Sequence, residues 1–190
     1  MTRYNSFILN GFKYFRETFV CVANSQSVER QGMEVEEPAY NNSPSRGRRK
    51  SNAEGDWVAF ILEIRARDNQ HVFARVYWMY WAEELPEGTM DGDRYLGGRQ
   101  SHHGQSELIA SNHMDIINVT SVTSPADVKQ WNEKDDEDIQ EALYWRQALD
   151  CQTNQLSSVM RFCTSRQPAN SDKTLIGCLN GECAEWLHED

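Results

Sequence analysis

The chain has 190 residues, of which 39% are hydrophobic and 25% are charged, and its formal net charge at pH 7 is −10. This length suffices for one core, or for one domain with a fragment of another, and the acidic balance excludes the overall basic character of many nucleic-acid-binding domains. No apolar run approaches the ~18 residues of a membrane span, and the N-terminal segment lacks a secretory signal, so we expect the nucleus or the cytosol.

Residues 7–23 are predicted to form two short strands around Asn10-Gly11, the strongest two-residue signal for a β-hairpin. Residues 24–55 lose all hydrophobic periodicity, which predicts a disordered loop inside the domain. This loop carries the basic run 46–50. The run is typical of a nuclear-import signal or a solvated tether, and a contact with DNA or the nucleosome is the alternative.

Residues 57–66 are nearly continuously apolar and rich in strand formers, so we expect a buried strand. Residues 71–81 follow the turn at Asp68-Asn69 and are predicted to complete a hairpin with it. Period-two alternation places five side chains on one face of this second strand: Val72, Ala74, Val76, Trp78 and Tyr80. The acidic and glycine-rich residues 82–104 are expected to form a loop.

Residues 106–111 and 116–123 are predicted to form two short strands. Ser124-Pro125 then favours the start of a short helix through Trp131. An acidic run at 132–138 is expected to be solvated. Propensity alone favours a helix over 139–149.

Three aromatic residues of the predicted hairpin can come together, because Trp78 and Tyr80 lie two apart on one strand and Trp57 opens the preceding strand. Three such rings can surround a methylated ammonium, to which each contributes up to ~2 kcal/mol in a dry site. An aromatic stripe on a strand is also typical of an ordinary core, so both interpretations remain open.

The run DWVAFILEIRARDNQHVFARVYWMYWAEELP resembles the heart of a bromo-adjacent homology (BAH) domain. The segment GGRQSHHGQSELIASNHMD is similar to a second ordered motif of that family, and LYWRQALDCQTNQL is similar to its late strand pair. The resemblance spans about residues 7–157. It implies a mainly β fold with a distorted barrel core and short helices in the connections, and it replaces the helix over 143–149 with a strand.

One subgroup of this family joins a BAH domain to a PHD finger and binds the Polycomb-type mark, the histone H3 tail trimethylated at lysine 27. The resemblance implies an aromatic cage formed by Trp57, Trp78 and Tyr80, with His113 and Asp115 contacting the peptide. The first cage position is usually Tyr, and the family has Arg-Pro where this chain has Trp81-Ala82. The resemblance therefore implies a nuclear chromatin reader in Polycomb-type repression, with the methylated tail and the nucleosome as partners.

Two further carboxylates, Glu83 and Glu107, are predicted to contact the peptide, because a histone tail is basic and this chain is acidic. A merely solvated acidic surface is the alternative. His113 could equally be a loop histidine, and Asp115 could be a turn residue bonded to its own backbone.

Residues 161–190 resemble the first half of a PHD finger, with Cys163, Cys178, Cys183 and His188 at ligand positions. Ser165 stands where the family has its second cysteine, so we expect incomplete zinc sites, with zinc bound only if the finger is completed. The predicted organisation is a BAH domain over 1–157, which requires no cofactor, and a partial PHD segment over 158–190. Packing of the latter against the BAH core is the alternative.

Catalysis is not expected. His102-His103 and Glu107 could suggest acid–base or metal chemistry, but their spacing does not match H-E-x-x-H, and the sequence has no nucleophile-elbow, P-loop or dinucleotide motif. The alternative to the reader is a BAH scaffold that makes methylation-independent contacts with proteins or the nucleosome. We expect neither membrane association nor sequence-specific DNA binding.

Overall fold

A computed structural model of the chain describes residues 1–24, 55–132, 142–161, 167–177 and 186–188. These residues are mainly β, which confirms the predicted fold class, and short 3-10 turns occur in two connections, Ala82–Glu84 and Val119–Ser121. In these ranges no helix is long and apolar enough to cross a membrane. The chain divides into two compact units, the first containing residues 1–79 and 114–127 and the second containing residues 80–113 and 128–190.

The strands are β1 (Thr2–Tyr4), β2 (Ser6–Leu9), β3 (Phe12–Phe15), β4 (Phe19–Val22), β5 (Trp57–Ala66), β6 (Val72–Trp81), β7 (Thr89–Asp91), β8 (Arg94–Leu96), β9 (Glu107–Asn118), β10 (Val122–Ala126), β11 (Val128–Gln130), β12 (Leu143–Asp150), β13 (Gln155–Leu156), β14 (Leu175–Gly177) and β15 (Trp186–His188). Strands β6 and β9 each begin in one unit and end in the other.

In the first unit, β10, β4, β5 and β6 are antiparallel neighbours, and β1 pairs with β5. The predicted β5–β6 hairpin is confirmed, with Ile61 opposite Val76 and Ile64 opposite Ala74. These four side chains are fully buried in the core of the unit, which explains the apolar character of both strands.

The predicted hairpin at Asn10-Gly11 is also confirmed, because β2 and β3 pair there with φ values of 51° and 81° at the two turn residues. Both positive values match the type I′ turn that such dipeptides favour. The second expected strand is divided into β3 and β4, however. Glu17 has a φ of 63° and breaks the extended backbone between them.

In the second unit, β12 runs parallel to β9 and β11 and antiparallel to β13, and β13, β7 and β8 follow in order. The core contains Leu85, Ile109, Leu149 and Leu156, and Tyr80 and Leu96 pack against it. The strand predicted over 143–149 is confirmed as β12. Its tertiary pairing outweighs the helix propensity of its residues.

Three local expectations differ from the structure. The loop predicted over 82–104 contains a 3-10 turn and the β7–β8 hairpin. The strand predicted at 106–111 and the first part of that predicted at 116–123 are joined in β9, which extends over the four residues between them and ends at Asn118. The rest of the second prediction is wrong, because a 3-10 turn follows at Val119–Ser121 and β10 begins at Val122. The helix predicted through Trp131 is wrong, because β10 pairs with β4 and β11 pairs with β12.

Several predictions concern segments outside the described residues. They are most of the loop over 24–55, the basic run at 46–50 and the acidic run at 133–138. The domain boundaries predicted at 157 and 158 stay a prediction.

Candidate functional site

Two tryptophans of the predicted cage are in contact in the first unit. Trp57 is the first residue of β5, and its ring centroid lies 5.5 Å from that of Trp78, with 72° between the ring planes. Trp57 is 44% exposed, whereas Trp78 is half-buried and packs against the core. The antiparallel β5–β6 pairing places Ala59 opposite Trp78, so the hairpin register positions this ring. The pair presents two aromatic surfaces nearly at right angles.

Tyr80 follows Trp78 by two positions on β6. It belongs to the second unit, as does His113. Its hydroxyl lies 2.6 Å from His113 Nδ1, and the two rings are nearly parallel, with an interplanar angle of 18°. Burial is the main cause that raises the pKa of Tyr80, and Cys151 and Glu84 raise it further. The phenol is therefore neutral at physiological pH. Its hydroxyl is held by the exposed histidine.

Two of the predicted peptide-contacting carboxylates lie at the surface. Asp115 in β9 is exposed, and its Oδ1 accepts a hydrogen bond from the Ile116 amide at 2.7 Å. The side chain of Glu83 is 60% exposed and forms an ion pair with Arg99 at 2.7 Å. The Arg99 guanidinium lowers the pKa of Glu83, so this carboxylate stays ionised. Both side chains remain accessible to a cationic peptide.

Glu107 is fully buried, with no exposed surface. It forms an ion pair with Arg146 at 2.7 Å, and it also accepts hydrogen bonds from the Gly104 amide at 2.9 Å and the Tyr144 hydroxyl at 3.1 Å. Its oxygens are thus occupied by internal donors. The prediction that Glu107 contacts a peptide is therefore wrong, because the carboxylate supports the interior of the second unit.

The adjacent histidines belong to the same interior network. His103 is buried, its Nδ1 accepts from the Gln100 amide, and its Nε2 lies 3.1 Å from Gln147 Oε1. Burial lowers the pKa of His103, and burial together with the neighbouring His103 lowers the pKa of His102 to about 4. Both imidazoles are therefore neutral at pH 7. This arrangement is typical of structural histidines.

The predicted zinc ligands are not tested by the structure. Cys163, Cys178 and Cys183 lie outside the described residues, and only the backbone of His188 is described, in β15. Elsewhere, in the ranges that the structure does describe, no group of three His, Cys, Asp or Glu side chains could hold a metal ion.

Two sets of paired charges were not recognised in the sequence. Arg146 is the buried partner of Glu107, and Arg3, Arg65 and Arg75 surround Glu63. The charged residues at positions 63 and 65, two apart on a strand, are the signal that could have indicated an exposed face.

No family model matches the chain. It is similar to two proteins of Arabidopsis thaliana, the chromatin remodeling protein SHL, with 28% identity over 131 residues, and the chromatin remodeling protein EBS, with 28% identity over 136 residues. The matches cover 67% and 70% of this chain and 52% and 53% of those proteins, so the chain spans about half the length of these relatives. Among solved structures, the yeast Rsc2 BAH domain matches with a TM-score of 0.46 and 10% identity, covering 78% of this chain and 51% of that one.

The similarity to known proteins and the sequence motifs agree on one point, an association with chromatin proteins. The similarity to chromatin remodeling proteins extends over two thirds of the chain, and the ordered motifs between Trp57 and Leu156 resemble one chromatin-associated family. Together they motivate the proposal that follows.

Proposed function

We propose that this protein is a chromatin reader that binds the histone H3 tail trimethylated at lysine 27, with Trp57, Trp78 and Tyr80 as its aromatic cage. The observation that carries the proposal is the contact between Trp57 and Trp78, whose ring planes lie 72° apart at cage positions of the resemblance. Two faces at this angle can hold a trimethylammonium group from two sides. Tyr80 supplies the third ring, since it follows Trp78 by two positions on the same strand.

The chemistry of the site suits a trimethylated lysine. This cation has no N–H group left to satisfy, so it loses little when it leaves water, and each ring attracts it through its π face. The Trp at position 57 retains this face in place of the tyrosine that is usual in the family. Its 44% exposure leaves it accessible to a ligand.

The surface carboxylates supply complementary charge for a basic tail. Glu83 and Asp115 are exposed, and the whole chain carries a net charge of −10. The electrostatic field of these negative charges raises the association rate with a basic peptide more than it tightens binding. We infer that His113 and Asp115 line the path of the peptide next to the methylated lysine, as the resemblance implies.

The chromatin remodeling relatives support a nuclear protein whose partners are chromatin components, and Polycomb-type repression is the process that the proposed mark implies. Zinc binding by Cys163, Cys178, Cys183 and His188 stays a prediction. Thiolates and an imidazole are ligand types that zinc prefers, but a tetrahedral site needs four of them.

A BAH scaffold that ignores methylation is the second candidate. It is favoured by the packing of Trp78 against the core of the first unit, which also agrees with a purely structural aromatic stripe. The exposure of Trp57 is what this alternative leaves unexplained.

Calorimetric titration with histone H3 peptides separates the two candidates. Peptides trimethylated and unmodified at lysine 27 are compared with peptides trimethylated at other lysines of the tail. The reader predicts binding of the lysine-27 peptide at about micromolar strength and at least tenfold weaker binding of the unmodified one, a difference of about 1.4 kcal/mol. Equal binding, or none, to all peptides would contradict the reader and leave the scaffold.

A further inference from the structure

Three arginines of the first unit converge on one carboxylate at the surface. Glu63 lies 3.5 Å from Arg3, 3.0 Å from Arg65 and 3.7 Å from Arg75. The arginine side chains are 60%, 51% and 47% exposed, whereas that of Glu63 is 12% exposed. Among the described residues, this carboxylate is the one acidic partner that all three share, so the cluster carries a positive surplus.

Strand register holds these arginines on one face of the sheet. Arg3 lies opposite Arg65 in the β1–β5 pair, and Glu63 lies opposite Arg75 in the β5–β6 pair. Ile64, which lies between Glu63 and Arg65, is fully buried on the other face, and an irregularity in the register between Ile61 and Glu63 brings the buried Ile61 to that face as well. Because successive side chains of a strand point to opposite faces, Arg65 and Glu63 are directed outward.

Aromatic residues occupy the neighbouring positions of the same outer face. Phe73 lies opposite Arg65, and Phe60 lies opposite Tyr77. These three rings are half-buried, so each retains some exposed surface beside the guanidinium groups. The result is a sheet face in which arginines and aromatic rings are interleaved.

The charge of this face contrasts with the rest of the molecule. The chain carries a net charge of −10, yet here three guanidiniums face one carboxylate. Arginine presents a planar fork of donors that matches two phosphate oxygens at once, and it binds phosphate better than a point charge does. A polyanion is therefore the partner with complementary charge.

We propose that the outer face of β1, β5 and β6, with Arg3, Arg65 and Arg75 as its contacts, binds the phosphate backbone of double-stranded DNA. A duplex carries one negative charge for about every 1.7 Å of its axis, so neighbouring phosphates can meet neighbouring arginines. The contact reads no sequence, because phosphates carry no base information. It is independent of the methyl-lysine cage, and in chromatin it would add a second point of attachment.

The test is fluorescence anisotropy with a labelled duplex of about 20 base pairs and the full chain, in salt from about 50 to 200 mM. Three phosphate contacts predict a slope of log K against log salt of about −2.7. Changing Arg65→Ala and Arg75→Ala together is expected to reduce the magnitude of this slope by about two and the affinity at least tenfold. Arg94→Ala, which removes an exposed arginine of the second unit, is the matched control and should leave both unchanged.

A second variant tests the same cluster in the opposite direction. Glu63→Gln removes the shared carboxylate while keeping the side-chain shape, so it should raise DNA affinity severalfold. Circular dichroism checks that each variant is folded. Equal DNA affinity of the wild type and the double arginine variant would overturn the proposal, as would absence of DNA binding at low salt or unchanged affinity in Glu63→Gln.

The same variants keep this proposal separate from the reader function. The double arginine variant should bind the methylated peptide as the wild type does, since Arg65 and Arg75 are not cage positions. A chain that binds DNA through this face but no methylated peptide would refute the reader and leave the DNA contact standing.

Discussion

Trp57 combines exposure with ring contact, which makes it the residue that tests the cage with least damage to the fold. It is 44% exposed and lies outside the buried core cluster. Trp57→Ala should therefore weaken binding of the trimethylated peptide by about 5- to 30-fold, the equivalent of about 1–2 kcal/mol of cation–π attraction. The melting temperature should change by less than about 2 °C.

Calorimetry and a thermal melt measure the two effects of Trp57→Ala. Tyr95→Ala is the matched control, because Tyr95 is a 76% exposed aromatic residue of β8 outside the proposed cage. A Trp57→Ala variant that unfolds, or that binds as tightly as the wild type, would contradict the assignment of this ring.

Trp78 is a less clean test, since it packs against the core while it contacts Trp57. Trp78→Ala should lower both peptide binding and the free energy of unfolding. The sequence placed Trp78 and Tyr80 on one face of a strand correctly. It could not say how much of each ring is buried, because burial depends on tertiary neighbours that alternation does not specify.

Glu107 shows the same limitation for a charged residue. The sequence motif marked it as polar and accessible, whereas its side chain and that of Arg146 are 0% and 3% exposed. Glu107→Gln should cost about 3–5 kcal/mol of unfolding free energy, because it leaves a buried guanidinium without its countercharge.

Chemical denaturation measures that cost. Glu83→Gln breaks an ion pair at the surface and should cost less than about 1 kcal/mol, which makes it the control. Similar costs for the two variants would contradict the structural role of Glu107.

His102 predicts a pH dependence of stability. Its folded pKa is about 4, largely because of burial, against 6.5 for a free imidazole. Above pH 6.5 both the folded and unfolded states are neutral. As the pH falls from 6.5 toward 4, the unfolded chain binds a proton that the folded chain does not, so stability decreases.

Thermal melts between pH 7.5 and 5 should therefore show a falling melting temperature, and His102→Gln should flatten the profile. This window lies above the range in which the carboxylates with lowered pKa, such as Glu83, lose their contribution. His103, whose pKa is also lowered, accounts for the slope that remains. An identical pH profile in the variant would contradict this account.

At the scale of elements, the β2–β3 hairpin depends on the backbone conformation of its turn. Gly11 has a φ of 81°, and a Cβ added there would meet nothing within 4 Å. Gly11→Ala should cost about 1–2 kcal/mol of unfolding free energy, entirely through the left-handed backbone and not through a clash.

Urea denaturation of the whole chain measures this cost. Ile8→Ala alters a 72% exposed residue of the same hairpin and should stay within about 0.5 kcal/mol of the wild type. A neutral Gly11→Ala would contradict the type I′ turn.

Elements defined by local signals could be predicted, and elements defined by distant pairing could not. The apolar run of β5 predicts a buried strand by itself, and the dipeptide Asn10-Gly11 predicts a tight turn by itself. By contrast, β10 contains Pro125 and has the local signature of a helix start, yet it extends along β4 with Pro125 opposite Val20. Local propensity does not specify the pairing of β10 with β4, and for this reason the helix predicted through Trp131 was wrong.

At the scale of the whole molecule, residues 170–172 follow the motifs of the resemblance and form hydrogen bonds with other residues of the second unit. Asn170 donates to the carbonyl of Ser101 at 2.8 Å, and the Gln105 amide donates to Asp172 at 2.6 Å. Ser171 bonds the Tyr144 hydroxyl, and Gly104 leaves no room for a Cβ beside them. Residues 170–172 therefore contact residues 101–105 and Tyr144 within the second unit.

The central claim is that the cage recognises the positive charge of the methylated lysine. Its most direct test is a calorimetric comparison of the lysine-27 trimethyl peptide with a peptide whose methylated ammonium is replaced by an uncharged carbon group of equal shape. The account predicts at least tenfold tighter binding of the charged peptide, about 1.4 kcal/mol, because cation–π attraction is lost in the neutral one. Equal affinity for the two peptides would contradict it.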